Sequence, residues 1–308
     1  MTYTAWLSQW LNNYVRPSVK IRTYERYSKI CALHIIPTLG NIPLDKITAI
    51  DLQSLVTALL TSGNNKNGKS LSANSVNTVI SVIKNSLKTA RLLGLTSQYV
   101  ADKIRRPKTM EKQVDCFTLC EQKKIEKYVL NHKKDKLFGI ILSLYTGLRI
   151  GELLALTWND IDFQKSMLSV TKTCYDGTQN GTHARIIDTP KTPHSRRIIP
   201  IPKQLLPLLK SLKKRSKCNY VIADGTKPVF VRSYQRTFEL LLKKLGIAHK
   251  GFHSLRHTFA TRALECGMDV RTLSELLGHK NPTITLTRYA HSLLDHKTDM
   301  MNRLGKLL

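Results

Sequence analysis

The chain has 308 residues, of which 42% are hydrophobic and 23% charged. That is the balance of a globular protein large enough for two domains of roughly 100–200 residues, and it excludes long disorder. The longest mostly apolar stretch, Leu137 to Leu148, contains Ser143, Thr146 and Gly147 and falls short of a bilayer core of about 30 Å. The opening MTYTAWLSQW lacks the basic-then-apolar plan of a signal peptide, so a cytoplasmic protein with no membrane partner is expected.

Charge is more informative. Forty-nine Lys and Arg stand against 21 Asp and Glu, a net charge of +28, which points to a polyanionic partner. Up to Arg106 there are 14 basic and 4 acidic residues, and beyond it 35 and 17. The excess is therefore spread evenly, as expected of two folded bodies facing one anion and not of a basic tail.

In chain order, the first hundred residues read as a bundle of about four helices. Trp6, Trp10 and Tyr14 recur every fourth position, as do Tyr27 and Cys31, with Pro37 closing that segment. Thr48 and Asp51 form a capping box, and Ser72 can cap a helix striped by Val76, Val79, Ile83, Leu87 and Ala90 and stopped by Gly94. Residues 101–116, with Pro107 and little periodicity, read as a linker. A second capping box, Thr118 and Glu121, opens a larger domain over 117–308. Its helices are expected at Leu119–Leu130, Leu137–Thr146 and Ile150–Leu156. Two β-rich runs follow, Ile161–Thr173 and Arg185–Ile201, joined by the loop DGTQNGTH as in a hairpin with a long tip. The remainder is mainly helical. The fold class is thus mainly α with a small β-sheet in the second domain. The six cysteines are irregularly spaced and read as reduced thiols, and Cys116 and Cys120 lack the second Cys/His pair of a zinc site. No metal or other cofactor is expected.

Several residues stand out chemically. His253 and Arg256, three apart in a helical segment, can share a face and together donate hydrogen bonds to a phosphate. They can equally be an ordinary surface pair. Arg149 follows Gly147 at a helix start with Glu152 three positions on, either holding its guanidinium in place or forming a routine intrahelical ion pair. Lys191 lies in the β-rich part near the expected hairpin tip, where a lysine is often a solvated edge charge. His279 follows the apolar stripe Leu273, Leu276 and Leu277 and the stop Gly278. Tyr289, like most tyrosines, can simply be a half-buried packing residue.

Taken together, TGLRIGELLALTW, PKTPHSRRIIPIP, HSLRHTFAT, LLGH and TRYAH resemble, in the same order, the active-site motifs of tyrosine recombinases of the phage-integrase family. The helical first domain resembles that family's SAM-like core-binding domain. The resemblance implies a C-shaped clamp on DNA built from a core-binding domain and an α+β catalytic domain. It implies clamp arginines at Arg149 and Arg256, a hairpin lysine at Lys191, histidine-type positions at His253 and His279, the nucleophile at Tyr289, and Glu152 supporting the first arginine. It departs at the N-terminus. Many integrases begin with a small domain that binds arm-type DNA sites, whereas this sequence starts directly in the helical bundle; either it works without that domain or the sequence is truncated.

The implied chemistry is site-specific recombination or integration of a mobile element through a 3′-phosphotyrosyl ester and a Holliday junction, without metal or ATP. The implied partners are double-stranded attachment sites, accessory bending or directionality factors, and a homotetramer joined by a C-terminal exchange helix over about 292–308, where Leu293, Met300, Met301, Leu304 and Leu308 fall on one face. A type IB topoisomerase shares the catalytic constellation, and a silent DNA-binding regulator could share the fold.

Overall fold

The structure, a computed structural model, describes residues 1–63, 68–109, 115–132, 134–179, 181–189, 195–279, 281–283, 301–302 and 305. The chain divides into two compact units, Met1–Lys112 and Gln113–Leu308, and is mainly helical with small antiparallel sheets. No helix among the described residues is long and apolar enough to cross a membrane.

In the first unit, helix α1 (Tyr3–Trp10) is capped by Thr2 and buries Tyr3, Trp6, Leu7 and Trp10. It is followed by α2 (Ile21–Ile30), α3 (Ile36–Leu39), α4 (Ala49–Ser62) and α5 (Ala73–Leu92). Buried aromatic residues need partners for their polar tips, and α5 supplies them. The Tyr3 hydroxyl lies 2.7 Å from Ser86 Oγ, Trp6 Nε1 donates to the Ser86 carbonyl at 3.2 Å, and Trp10 Nε1 donates to Thr89 Oγ1 at 3.2 Å. The Thr48–Asp51 box closes as the spacing predicts, and Ser72 caps α5.

Pro37 does not end its segment. A π turn, Cys31–Ile35, precedes α3, and Pro37 sits in the first turn of α3, where its fixed φ suits a helix. The start of the segment read as a linker is likewise ordered on this unit, where Ala101 and Ile104 are part of the core.

The second unit opens with α6 (Leu119–His132), capped reciprocally by Thr118 and Glu121. Next comes α7 (Phe138–Thr146), buried on almost every side and so central to the core, and then α8 (Ile150–Ala155). Strands β1 (Ile161–Asp162), β2 (Met167–Val170) and β5 (Arg197–Pro200) form one antiparallel sheet in the order β1-β2-β5, while β3 (Thr173–Gln179) and β4 (Thr182–Asp188) form a separate two-stranded ribbon.

This corrects the expected hairpin. Of the segment DGTQNGTH, Asp176–Gln179 and Thr182–His183 are ladder, with Asp176 opposite Arg185 and Gln179 opposite Thr182. Pairing along the ribbon outweighs the poor strand propensity of its Gly and Asp residues. Strand β4 ends at Asp188, and position 191 lies outside the described residues. Asp176, expected in a loop, accepts the backbone N–H groups of Val231 and Arg232 at 2.9 and 2.8 Å and so caps α10 (Val231–Lys244) from a neighbouring strand.

Helix α9 (Leu206–Arg215) and the short strands β6 (Ala223–Asp224) and β7 (Lys227–Pro228) precede α10; α11 (His253–Glu265) and α12 (Val270–Leu277) follow it. Helix α11 packs along α7, and the chain entering α6 is pinned to it by Phe117 N–H donating to Thr258 Oγ1 at 2.9 Å and by Arg262 donating to the Phe117 carbonyl at 3.1 Å.

Candidate active site

The site is organised by how two helices end. Helix α7 terminates at Gly147, whose φ of +64° is left-handed, and α12 terminates at Gly278 in the same region. At α12 the Gly278 N–H bonds to the Glu275 carbonyl and the His279 N–H to the Ser274 carbonyl, both at 3.0 Å, the paired pattern of a glycine C-cap. That pattern uses the carbonyls of Ser274 and Glu275. The next three, of Leu276, Leu277 and Gly278, need other donors and lie at the negative end of the helix dipole.

Each of the three receives an arginine. Arg197 Nε donates to Leu276 O at 2.5 Å, Arg256 Nη2 to Leu277 O at 2.6 Å, and Arg149 Nη2 approaches Gly278 O at 3.5 Å. Arg256 also donates through Nη1 to the Gly147 carbonyl at 2.8 Å, so its planar fork joins the ends of α7 and α12. It is only 2% exposed. The sequence pattern of α11 puts His253 and Arg256 on a common face turned away from the core; instead His253 is exposed while Arg256 is buried between helix ends. The His253 ring packs edge-on against His257, centroids 4.6 Å apart.

His279 enters through the cap. Its Nε2 lies 3.0 Å from Arg256 Nη2. A guanidinium can only donate, so Nε2 is the acceptor in this contact, which fixes the ring in the Nδ1-protonated form while the contact holds.

Arg149 precedes α8, and Glu152 in the first turn of that helix faces back to it. Glu152 Oε2 accepts the Arg149 backbone N–H at 3.0 Å and Oε1 accepts Arg149 Nη1 at 2.7 Å. Arg197 fills the remaining positions, with Nη1 to Oε1 at 3.1 Å and Nη2 to Oε2 at 2.8 Å. A carboxylate with two donors on each oxygen is saturated. Burial alone would raise the Glu152 pKa, but hydrogen bonding to Arg197, its charge and that of Arg149 prevail and lower it from 4.5 to about 2.

Arg197 is the residue the sequence does not single out. It stands at the head of β5, second of two adjacent arginines, and no helical spacing links it to its partners. The alternation Arg197, Ile199, Ile201, in which both isoleucines are buried, was the available signal, since it places Arg197 on the inward face of its strand.

Arg149, Glu152, Arg256 and His279 thus meet around the end of α12, and His253 lies on α11 three residues before Arg256. Lys191, Tyr289 and nearly all of the expected C-terminal helix lie outside the described residues. The cluster can bind an anion. Arg149 is the guanidinium at its surface, with a side chain 36% exposed, whereas Arg197 at 6% is internal.

The model of the phage integrase family matches residues 120–296, and that of the phage integrase N-terminal SAM-like domain matches residues 2–60. A tyrosine recombinase XerC-like protein of Caldanaerobacter subterraneus subsp. tengcongensis is 31% identical over 97% of this chain and 81% of its own. Among solved structures, the Tn1549 transposon integrase in complex with a circular intermediate DNA superposes with a TM-score of 0.81 at 24% identity, covering 99% of both chains. A lambda integrase from a tetramer bound to a Holliday junction gives 0.69 at 21% identity over 92% of this chain and 79% of that one. Motif order, fold and whole-length similarity agree: the chain belongs to the phage integrase family.

Proposed function

We propose that the protein is a site-specific tyrosine recombinase that cuts and rejoins DNA at attachment sites of a mobile element through a 3′-phosphotyrosyl ester at Tyr289. The observation that carries this reading is the seating of Arg149 and Arg256 on adjacent carbonyls at the end of α12, Gly278 and Leu277. With Arg256 held by main-chain carbonyls and Arg149 chiefly by Glu152, two guanidiniums stabilise the charge that builds on the non-bridging oxygens of a five-coordinate phosphate.

Tyr289 follows that helix end by eleven residues. In the first step its oxygen attacks phosphorus, with His253 assisting loss of the phenolic proton, whose ordinary pKa is about 10. The bond to the 5′-oxygen breaks, and Lys191 donates the proton that oxygen needs. The ester conserves the bond energy, so a 5′-hydroxyl from a second duplex can attack phosphorus and return Tyr289 without ATP. Two rounds pass through a Holliday junction. The net charge of +28 suits a duplex partner, and the assembly proposed is a homotetramer joined through residues 292–308, with accessory bending or directionality factors as further partners.

The test is a supercoiled plasmid carrying two cognate sites. Recombinant products with little relaxation support the reading, and removal of residues 293–308 should leave single-site binding intact while abolishing synapsis. Efficient relaxation without recombinants would make the protein a topoisomerase. A Tyr289→Phe variant indistinguishable from the parent would make it a binding protein.

A further inference from the structure

Arg149 is the guanidinium nearest the surface of the cluster, and it is also the least restrained. Its contact with Gly278 O is long at 3.5 Å, leaving Glu152 as its main anchor at 2.7 Å. From its own helix start Glu152 is held by the Arg149 backbone N–H on Oε2 at 3.0 Å, which gives Oε1 no main-chain anchor. Its two oxygens are fixed by the fork of Arg197, at 3.1 and 2.8 Å. The other side of Arg197 is tied to main chain, through Nε to Leu276 O at 2.5 Å and through Nη1 to Ser195 O at 3.2 Å.

A continuous relay therefore runs from the end of α12 through Arg197 and Glu152 to Arg149. It starts one residue before the carbonyl that seats Arg256. The relay sets the position of Arg149 relative to Arg256. One carboxylate shared between two guanidiniums also leaves the three groups with a net positive charge. A lysine could supply the charge of Arg197 but not the planar fork that spans both oxygens while a third nitrogen reaches Leu276.

We propose that Arg197 is a positioning residue for transition-state charge, acting on the scissile phosphate only through Glu152 and Arg149. The inference rests on the recombinase reading above. The test separates this role from that of a buried ion pair that only stabilises the fold.

The protein, with Arg197→Lys, Arg197→Met, Arg149→Ala and the double variant Arg149→Ala/Arg197→Met, is given nicked substrates that trap the covalent adduct. The scissile group is either an ordinary phosphodiester or a methylphosphonate, which lacks the negative charge that Arg149 is there to meet. The quantity read is the ratio of the two rates within one preparation, which does not depend on how much of the variant is folded.

Arg197→Met should lose about 100-fold on the phosphodiester and no more than about 3-fold on the methylphosphonate, with Arg197→Lys in between. Adding Arg197→Met to Arg149→Ala should change neither rate. Equal losses on both substrates, or losses that multiply in the double variant, would overturn the proposal while leaving the recombinase reading standing. A parent that forms no adduct on either substrate would overturn that reading and the inference with it.

Discussion

Replacing Glu152 with glutamine removes one charge from a saturated, buried carboxylate and leaves the shape of the side chain unchanged. Its folded-state pKa of about 2 lies below the ordinary 4.5, so the carboxylate contributes stability that is fully present above about pH 5 and fades as pH falls toward 2. The displacement corresponds to roughly 3 kcal/mol at neutral pH, and linkage gives a loss of about 2 kcal/mol of it by pH 3. Glutamine does not titrate. The stability gap between parent and Glu152→Gln, measured by urea unfolding of the second unit, should therefore be about 3 kcal/mol or more at pH 7 and narrow by about 2 kcal/mol at pH 3. Other carboxylates titrate alike in both proteins and cancel. A gap that stayed constant across this range would show that Arg197 and Arg149 do not hold Glu152 ionised, and the relay would lose its basis.

Arg256→Lys should cost about 10²–10³ in cleavage rate and lower the melting temperature, since an ammonium cannot bridge the Gly147 and Leu277 carbonyls and His279 together; a variant with near-parental cleavage would contradict the seating described for it. Gly147→Ala places a Cβ 2.6 Å from Phe259 Cδ1 at a φ of +64° and should destabilise by about 2 kcal/mol or more, seen as a lower urea midpoint. DNA affinity should fall by about 10³–10⁵ between 50 and 200 mM salt if 6–10 phosphates are neutralised, and a shallow slope in fluorescence anisotropy would argue against a duplex held by so basic a protein.

How much of this was legible in the sequence depended on the distance between partners. The Thr48–Asp51 and Thr118–Glu121 caps and the Arg149–Glu152 pair each span three residues, so helical geometry alone brings them together. The five motifs pointed to the family. Periodicity could not give the surroundings of Arg256, because its partners are main-chain carbonyls 109 and 21 residues away. Arg197 was invisible for the same reason, with partners 45 and 79 residues distant. At DGTQNGTH, turn-forming residues suggested a loop, but cross-strand pairing decided the outcome. At Pro37, the π turn just before it let the helical path continue.

The central claim is that a tyrosine near the carboxyl end carries the broken strand while fixed cations meet the phosphate. Its most direct measurement is mass spectrometry of the peptide–nucleotide adduct trapped on a nicked substrate in EDTA without ATP. The expected product is a 3′-phosphate esterified to Tyr289, absent from Tyr289→Phe. An adduct on another residue, or one that persists in the phenylalanine variant, would contradict it.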